Sequence, residues 1–412
     1  MHIFFLFSGL ITLAAVFSYI NIRAFKLPSG ISFILMGTLV SFALIFIGKL
    51  SGGFTDSIKQ SLAEINFSEF ILEILLSFLL FAGSLHVKFD EIKSSAKSIV
   101  SFAVLGTLIS TAIIGSLVYY LLPLFDAQVP YVACLLFGAL ISPTDPIAVI
   151  GILKQAKLSK SIEIKITGES LFNDGIGVVV FATILEITVS GIENFSATTV
   201  TLLFAQEALG GILAGLVIGY IGFHLMKSID HFQTEILISL AMVMGGYSLC
   251  HFLHVSGPLA MVVGGLLTGN KGRREAMSDL TRDYLEKFWE VTDEVLNALL
   301  FMLIGLELVV VDFYFNYIVI GIIIALLLVV SRYISLFIPA HLMGFKKTLE
   351  KNTLSIMTWG GLRGAISIAL ALSLPNDPYK GIFVTITFVI VLFSVLVQGF
   401  SIGKLIKYLN KS

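Results

Sequence analysis

The chain has 412 residues, of which 57% are hydrophobic and 13% charged, with a formal net charge of −1. A soluble domain carries about 25% charged residues, so the composition excludes a soluble protein, and the near-zero charge excludes a nucleic-acid partner. The two cysteines, Cys134 and Cys250, both lie inside apolar runs and offer neither a disulfide framework nor a metal-binding spacing.

A bilayer-spanning helix needs about 17–25 mainly apolar residues. On that rule the chain reads as an all-α polytopic membrane protein of about thirteen transmembrane helices: 2–22, 28–48, 67–87, 98–123, 129–153, 164–189, 202–226, 234–253, 255–270, 288–310, 316–343, 352–374 and 379–403. The first follows Met1 and His2 with no basic stretch and no small-residue cleavage site, so it reads as a retained helix rather than a signal peptide. The ninth is short and glycine-rich, with Gly257, Gly264, Gly265 and Gly269. Residues 271–290 are charged and are expected to lie along the surface as an amphipathic lead-in to the tenth. No loop is long enough to form a separate soluble domain.

The loops orient this array. Alternate loops carry Arg23 and Lys26; Lys88, Lys93 and Lys97; Lys154, Lys157, Lys160 and Lys165; Lys227; Lys271, Arg273, Arg274, Arg282 and Lys287; Lys346, Lys347 and Lys351; and finally Lys404, Lys407 and Lys411. The opposite side holds only Lys49, Lys59 and Lys380. Cytoplasmic loops concentrate lysine and arginine, so the N-terminus is expected outside and the C-terminus in the cytoplasm. Arg332 and Arg363 are left inside spans.

Three stretches break the apolar pattern. Segment six opens on Gly168-Glu-Ser-Leu-Phe-Asn-Asp-Gly175, which puts Glu169, Asn173 and Asp174 at a depth where a charge costs about 2.5–3.5 kcal/mol or more. On a helix Ser170 and Asp174 share one face, with Asn173 about 100° away. A carboxylate beside a hydroxyl, an amide and unwound carbonyls makes an all-oxygen cage suited to a hard monovalent cation. Burial favours a carboxyl's neutral form and a nearby cation its charged form, so Asp174 can hold a proton or a cation but not favourably both.

Segment five contains Ser142-Pro-Thr-Asp-Pro146, and two prolines three apart should unwind it near Thr144 and Asp145. Segment twelve contains Gly360-Gly-Leu-Arg-Gly-Ala365, where three glycines surround Arg363. This guanidinium keeps its proton, so it needs a carboxylate or a set of carbonyl ends. The two broken segments are seven spans apart and so run in opposite directions. That is the pattern of two inverted six-helix repeats, 1–6 and 8–13, with a binding site at the midplane where the broken helices meet.

Other charges in spans carry less. Arg332 in segment eleven can neutralise Asp145 or the helix ends, and Glu169 is expected to pair with Arg363. Asp293, Glu294 and Glu307 in segment ten, Glu207 in seven and Glu73 in three can line a funnel but read first as interfacial or structural charges. His251 and His254 beside Cys250 lack a fourth ligand at a metal spacing.

These three motifs, in this order on spans five, six and twelve, resemble the cation/proton antiporters of the NhaP/NHE type, monovalent cation:proton antiporter family 1, and the resemblance covers essentially the whole chain. It implies a homodimer in the plasma (inner) membrane, with residues 1–97 and 191–310 forming a dimerisation domain and 98–190 and 311–412 a mobile core in which broken helices 5 and 12 cross. It implies that Asp174 is the proton and cation carrier. Ser170, the Thr144 backbone and, through water, Asn173 and Asp145 would complete the cage, with Glu169 and Arg363 as a structural pair. It further implies exchange of Na⁺, Li⁺ or K⁺ for H⁺ by alternating access, electroneutral because residue 173 is asparagine, with no cofactor beyond the transported ions and membrane lipid as the surroundings. Some archaeal relatives place a glutamate from segment three in the site, where this chain has Ala82. The chain also ends at Ser412 without the long regulatory tail of animal exchangers, which suggests a prokaryotic member.

The alternative from another class is a monovalent cation channel or uniporter, which wants a continuous polar pore or rings of carbonyls rather than one single-copy carboxylate. An intramembrane enzyme is not expected, because the chain has no HExxH, Walker A or G-x-S-x-G motif.

Overall fold

The computed structural model describes residues 2–51, 70–145, 158–191, 196–308, 315–345, 349–350, 352–375 and 377–409, and these contain helix and no strand. In chain order the principal helices are α1 (His2–Ile20), α2 (Ser29–Ser51), α3 (Phe70–Leu85), α4 (Ala96–Phe125), α5 (Tyr131–Ile141), α6 (Lys160–Ser190), α7 (Ala197–Lys227), α8 (Phe232–Phe252), α9 (Gly257–Leu267), α10 (Asp279–Glu307), α11 (Ile318–Leu342), α12a (Thr353–Gly360), α12b (Ala365–Leu372) and α13 (Lys380–Leu409). Among the described residues eight helices are long and apolar enough to cross a membrane, and the pair α12a–α12b, bent by 47°, makes a ninth if it is one broken span. α3 and α5 are shorter apolar helices. Pro146 and the rest of segment five lie outside the described residues.

The helix starts follow from local chemistry. Ser159, Ser196, Ser256 and Ser278 each accept a backbone N–H from the first turn of α6, α7, α9 and α10, satisfying donors that have no intrahelical partner. Pro258 sits in the first turn of α9, where its missing N–H costs nothing.

Packing then sorts the helices. One buried apolar cluster is drawn mainly from α1, α2, α4, α5, α6, α11, α12a, α12b, α13 and the C-terminal half of α10. A second joins α3, α8, α9 and the N-terminal half of α10. Large apolar side chains also remain exposed, such as Leu209, Leu213, Val217 and Tyr220 on α7 and Leu237 and Met244 on α8. In water that would be costly; against lipid it is the expected outer surface, while the backbone groups are satisfied within the helices.

The lead-in to segment ten departs from expectation. From Asp279 onward those residues are not a separate surface helix but the first turns of α10 itself. Thr281, Leu285 and Trp289 recur at four-residue intervals and are buried, and the Trp289 indole Nε1 donates to Ser239 Oγ at 3.0 Å. That buried stripe anchors the N-terminal half of α10 into the second cluster, and its charged residues fall on the other faces.

Candidate functional site

α5 stops at Ile141, and residues 142–145 are not helical. Pro143 has no N–H to continue the ladder and its ring clashes with the preceding turn. α12 breaks over residues 361–364. The two breaks are tied backbone to backbone, Asp145 N donating to Leu362 O at 2.9 Å. Gly364 permits this approach, since a Cβ there would lie 2.5 Å from Asp145 Oδ2 and 2.8 Å from its Cβ. Gly177 does the same for α6, where a Cβ would run into the Pro143 ring.

α6 passes beside this crossing, and its side chains replace what the break removes. Asn173 is 0% exposed. Its Oδ1 accepts Thr144 N at 3.3 Å, and its Nδ2 donates to Thr144 Oγ1 at 2.8 Å and to Glu169 Oε1 at 2.7 Å. Ser170 Oγ donates to Thr144 O. With that proton committed, Ser170 offers only lone pairs to a ligand.

The arginines divide differently from expectation. Glu169 pairs with Arg332, not Arg363: Arg332 Nη2 lies 2.6 Å from Glu169 Oε2, both side chains being buried, and 3.4 Å from Thr144 Oγ1. Arg363 instead caps the open end of α5, its Nη1 donating to Ser142 O at 2.6 Å and Pro143 O at 2.9 Å. The physical reason is reach. Arg363 sits in the α12 break facing the unwound end of α5, whose carbonyls carry the negative end of a helix dipole. Arg332 on α11 is the guanidinium that meets α6.

Asp174 stands apart from this network. It is 9% exposed, and its Oδ1 has no hydrogen-bond partner among the described residues. It lines a cavity of about 630 Å³, together with Asp145 and Ser170, that runs to Lys88, Glu91 and Lys160. Lys88 and Lys160 are exposed, and Lys160 pairs with Glu91 there, so the cavity opens to the surface at that end. Of the five expected cation ligands, Asp145, Ser170 and Asp174 come to the cavity wall, whereas the Asn173 and Thr144 side chains face the crossing.

The expected funnel charges also separate. Asp293 lines the cavity, whereas Glu294, Glu307, Glu207 and Glu73 do not. The residues sequence reasoning missed are Glu286 and Glu290, which join Asp293 on one wall; the i, i+4, i+7 spacing that puts them on one face of α10 was the available signal. α3 contributes Leu79, Leu80 and Gly83 and no carboxylate, and Ala82 is buried. His251, His254 and Cys250 belong to no metal-capable cluster among the described residues.

The family model described as "Sodium/hydrogen exchanger, transmembrane" matches residues 11–408. The chain belongs to the sodium/hydrogen exchanger family. The Na(+)/H(+) antiporter NhaP of Pseudomonas aeruginosa is 45% identical over 409 residues, covering 98% of this chain and 96% of that one. The Na(+)/H(+) antiporter NhaH of Halobacillus aidingensis is 35% identical over 394 residues, covering 94% and 93%. The structure of the sodium proton antiporter MjNhaP1 from Methanocaldococcus jannaschii at pH 8 matches with a TM-score of 0.79 over the full length of both chains, at 21% identity, so the exchanger fold is shared. In this exchanger the three sequence motifs, distant along the chain, meet at one crossing.

Proposed function

We propose that this chain is a Na⁺/H⁺ antiporter of a bacterial plasma membrane, carrying a monovalent cation and a proton alternately on Asp174. The observation that carries the reading is the placement of that one acid: nearly buried, with an unpartnered oxygen, at the inner end of a cavity whose wall bears Glu286, Glu290 and Asp293. Glu286 is paired with Arg273 at 2.9 Å, so Glu290 and Asp293 are the carboxylates of that wall that favour a cation in the cavity. At the inner end Asp174, Ser170 and Asp145 supply oxygens, the donor type a hard cation prefers. A proton neutralises Asp174 and releases the cation; a cation favours the charged form and releases the proton. One carboxylate serving both ions in turn supports a carrier over a channel.

The cavity mouth lies among the lysine-rich loops, which supports an inward-facing state with the C-terminus in the cytoplasm. Around this site we place about thirteen spans in two inverted repeats. Residues 98–190 and 311–412 form a moving core, and residues 1–97 and 191–310 form a dimer scaffold. Asn173 adds no charge to the site, which supports exchange of one monovalent cation for one proton.

The test is cation-dependent collapse of an imposed proton gradient in proteoliposomes. The parent chain is expected to respond to Na⁺, and Asp174→Asn to fall to the rate of protein-free vesicles; sustained collapse by that variant overturns the carrier assignment. In the same vesicles an imposed K⁺ diffusion potential is expected to leave the rate unchanged, and strong acceleration by potential would exclude one-for-one exchange.

A further inference from the structure

A second concavity lies away from the crossing, between α7 and the end of α9. It is a groove of about 360 Å³ lined by Leu216, Val217, Tyr220 and Phe223 of α7, by Leu267 of α9, and by Lys271. It shares no residue with the cavity that holds Asp174. Leu216, Val217 and Tyr220 are exposed, whereas Phe223 is buried at its end. Two cations converge on that ring: Lys271 Nζ lies 4.7 Å and Lys227 Nζ 5.5 Å from the Phe223 centroid.

Neither lysine has a carboxylate within ion-pair distance among the described residues, although seven other cation–carboxylate contacts are formed elsewhere. Two like charges gathered over one ring repel each other, and among the described residues no carboxylate lies within ion-pair distance of either. The two ends of the groove therefore ask for different chemistry, an anion at the lysines and hydrocarbon along α7. From Leu216 to Phe223 the helix rises about 10 Å, enough to seat part of an acyl chain. Both lysines lie on the side where the positive loops gather, the leaflet face where basic pockets between helices take anionic headgroups.

We propose that this groove binds one anionic phospholipid, with its phosphate between Lys227 and Lys271 and an acyl chain lying along Leu216, Tyr220 and Leu267. Charge complementarity selects this occupant. A second copy of the chain would have to bring a carboxylate to the lysines, and a zwitterionic lipid would bring its own ammonium beside them.

The experiment titrates the full chain in detergent with phosphatidylglycerol or phosphatidylcholine and counts bound lipid by native mass spectrometry. The parent is expected to retain phosphatidylglycerol in preference to phosphatidylcholine. K227A/K271A is expected to bind phosphatidylglycerol about thirtyfold more weakly, from the attraction of each basic residue to an anionic leaflet, with phosphatidylcholine unaffected. K227R/K271R keeps both charges and is expected to keep the preference, which separates charge from a folding defect. Equal retention of the two lipids by the parent, or undiminished phosphatidylglycerol binding by K227A/K271A, overturns the proposal. So does efficient disulfide cross-linking between copies carrying Leu216→Cys in native membranes, which would show the groove closed by a second protomer.

Discussion

Asn173 and Asp174 are adjacent in sequence and about 100° apart around α6, and they live in opposite circumstances. Asn173 is sealed at the crossing with both ends of its amide engaged, three hydrogen bonds reaching Thr144 and Glu169. Asp174, one residue on, faces the cavity with an oxygen that bonds to nothing among the described residues. One face of the helix is a strut that replaces the backbone bonds lost at a broken helix. The other faces the cavity. Buried polar groups are costly unless paired, so Asn173 is placed to hold the crossing, and Asp174 is the one placed for the carrier role proposed above.

Substitutions on the strut face should therefore cost stability, and those on the cavity face should cost transport with the fold intact. The largest effect is expected from Arg332→Ala, which strands Glu169 as a buried unpaired charge and should lower stability by about 3–5 kcal/mol, read as a drop in melting temperature in detergent. A melt matching the parent would show that the pair is not structural. Gly364→Ala comes next. Its Cβ would push against Asp145, and overpacking of this kind costs about 1–3 kcal/mol. Because the strain falls on the tie between the two breaks, transport should fall further than stability does. Ser170→Ala should be the mildest. Loss of one hydroxyl ligand, worth about 1 kcal/mol, should raise the KM for Na⁺ about fivefold with kcat near the parent, and loss of its bond to the Thr144 carbonyl should lower stability by about 1 kcal/mol. A KM unchanged by that variant would move Ser170 from the ligand set to the strut.

Much of this was legible in the chain. Helical spacing alone put Ser170 and Asp174 on one face and Asn173 off it, and the proline pair around Thr144 and Asp145 marked the end of α5. The three-glycine run at 360–364 marked the second break. What sequence could not supply was reach across the fold. Glu169 had two arginines available, and only the packing of α11 against α6 decides that Arg332 is the one within 2.6 Å. The charged run before segment ten reads as a surface helix because its charged residues outnumber its apolar ones. The structure turns on three buried side chains, Thr281, Leu285 and Trp289, that draw it into the core, and the same turn carries Glu286 and Glu290 to the cavity wall.

The cap that Arg363 places on α5 bears on how long a cation stays. An unwound helix end in a dry interior presents several carbonyl oxygens at once, and a site that used them all would hold a cation for too long to be a useful carrier. The guanidinium occupies the Ser142 and Pro143 carbonyls, which leaves fewer open oxygens at this end of α5. If the proposed carrier site draws on this end of α5, a shallower well would empty faster, and Arg363 would shorten the stay of the cation.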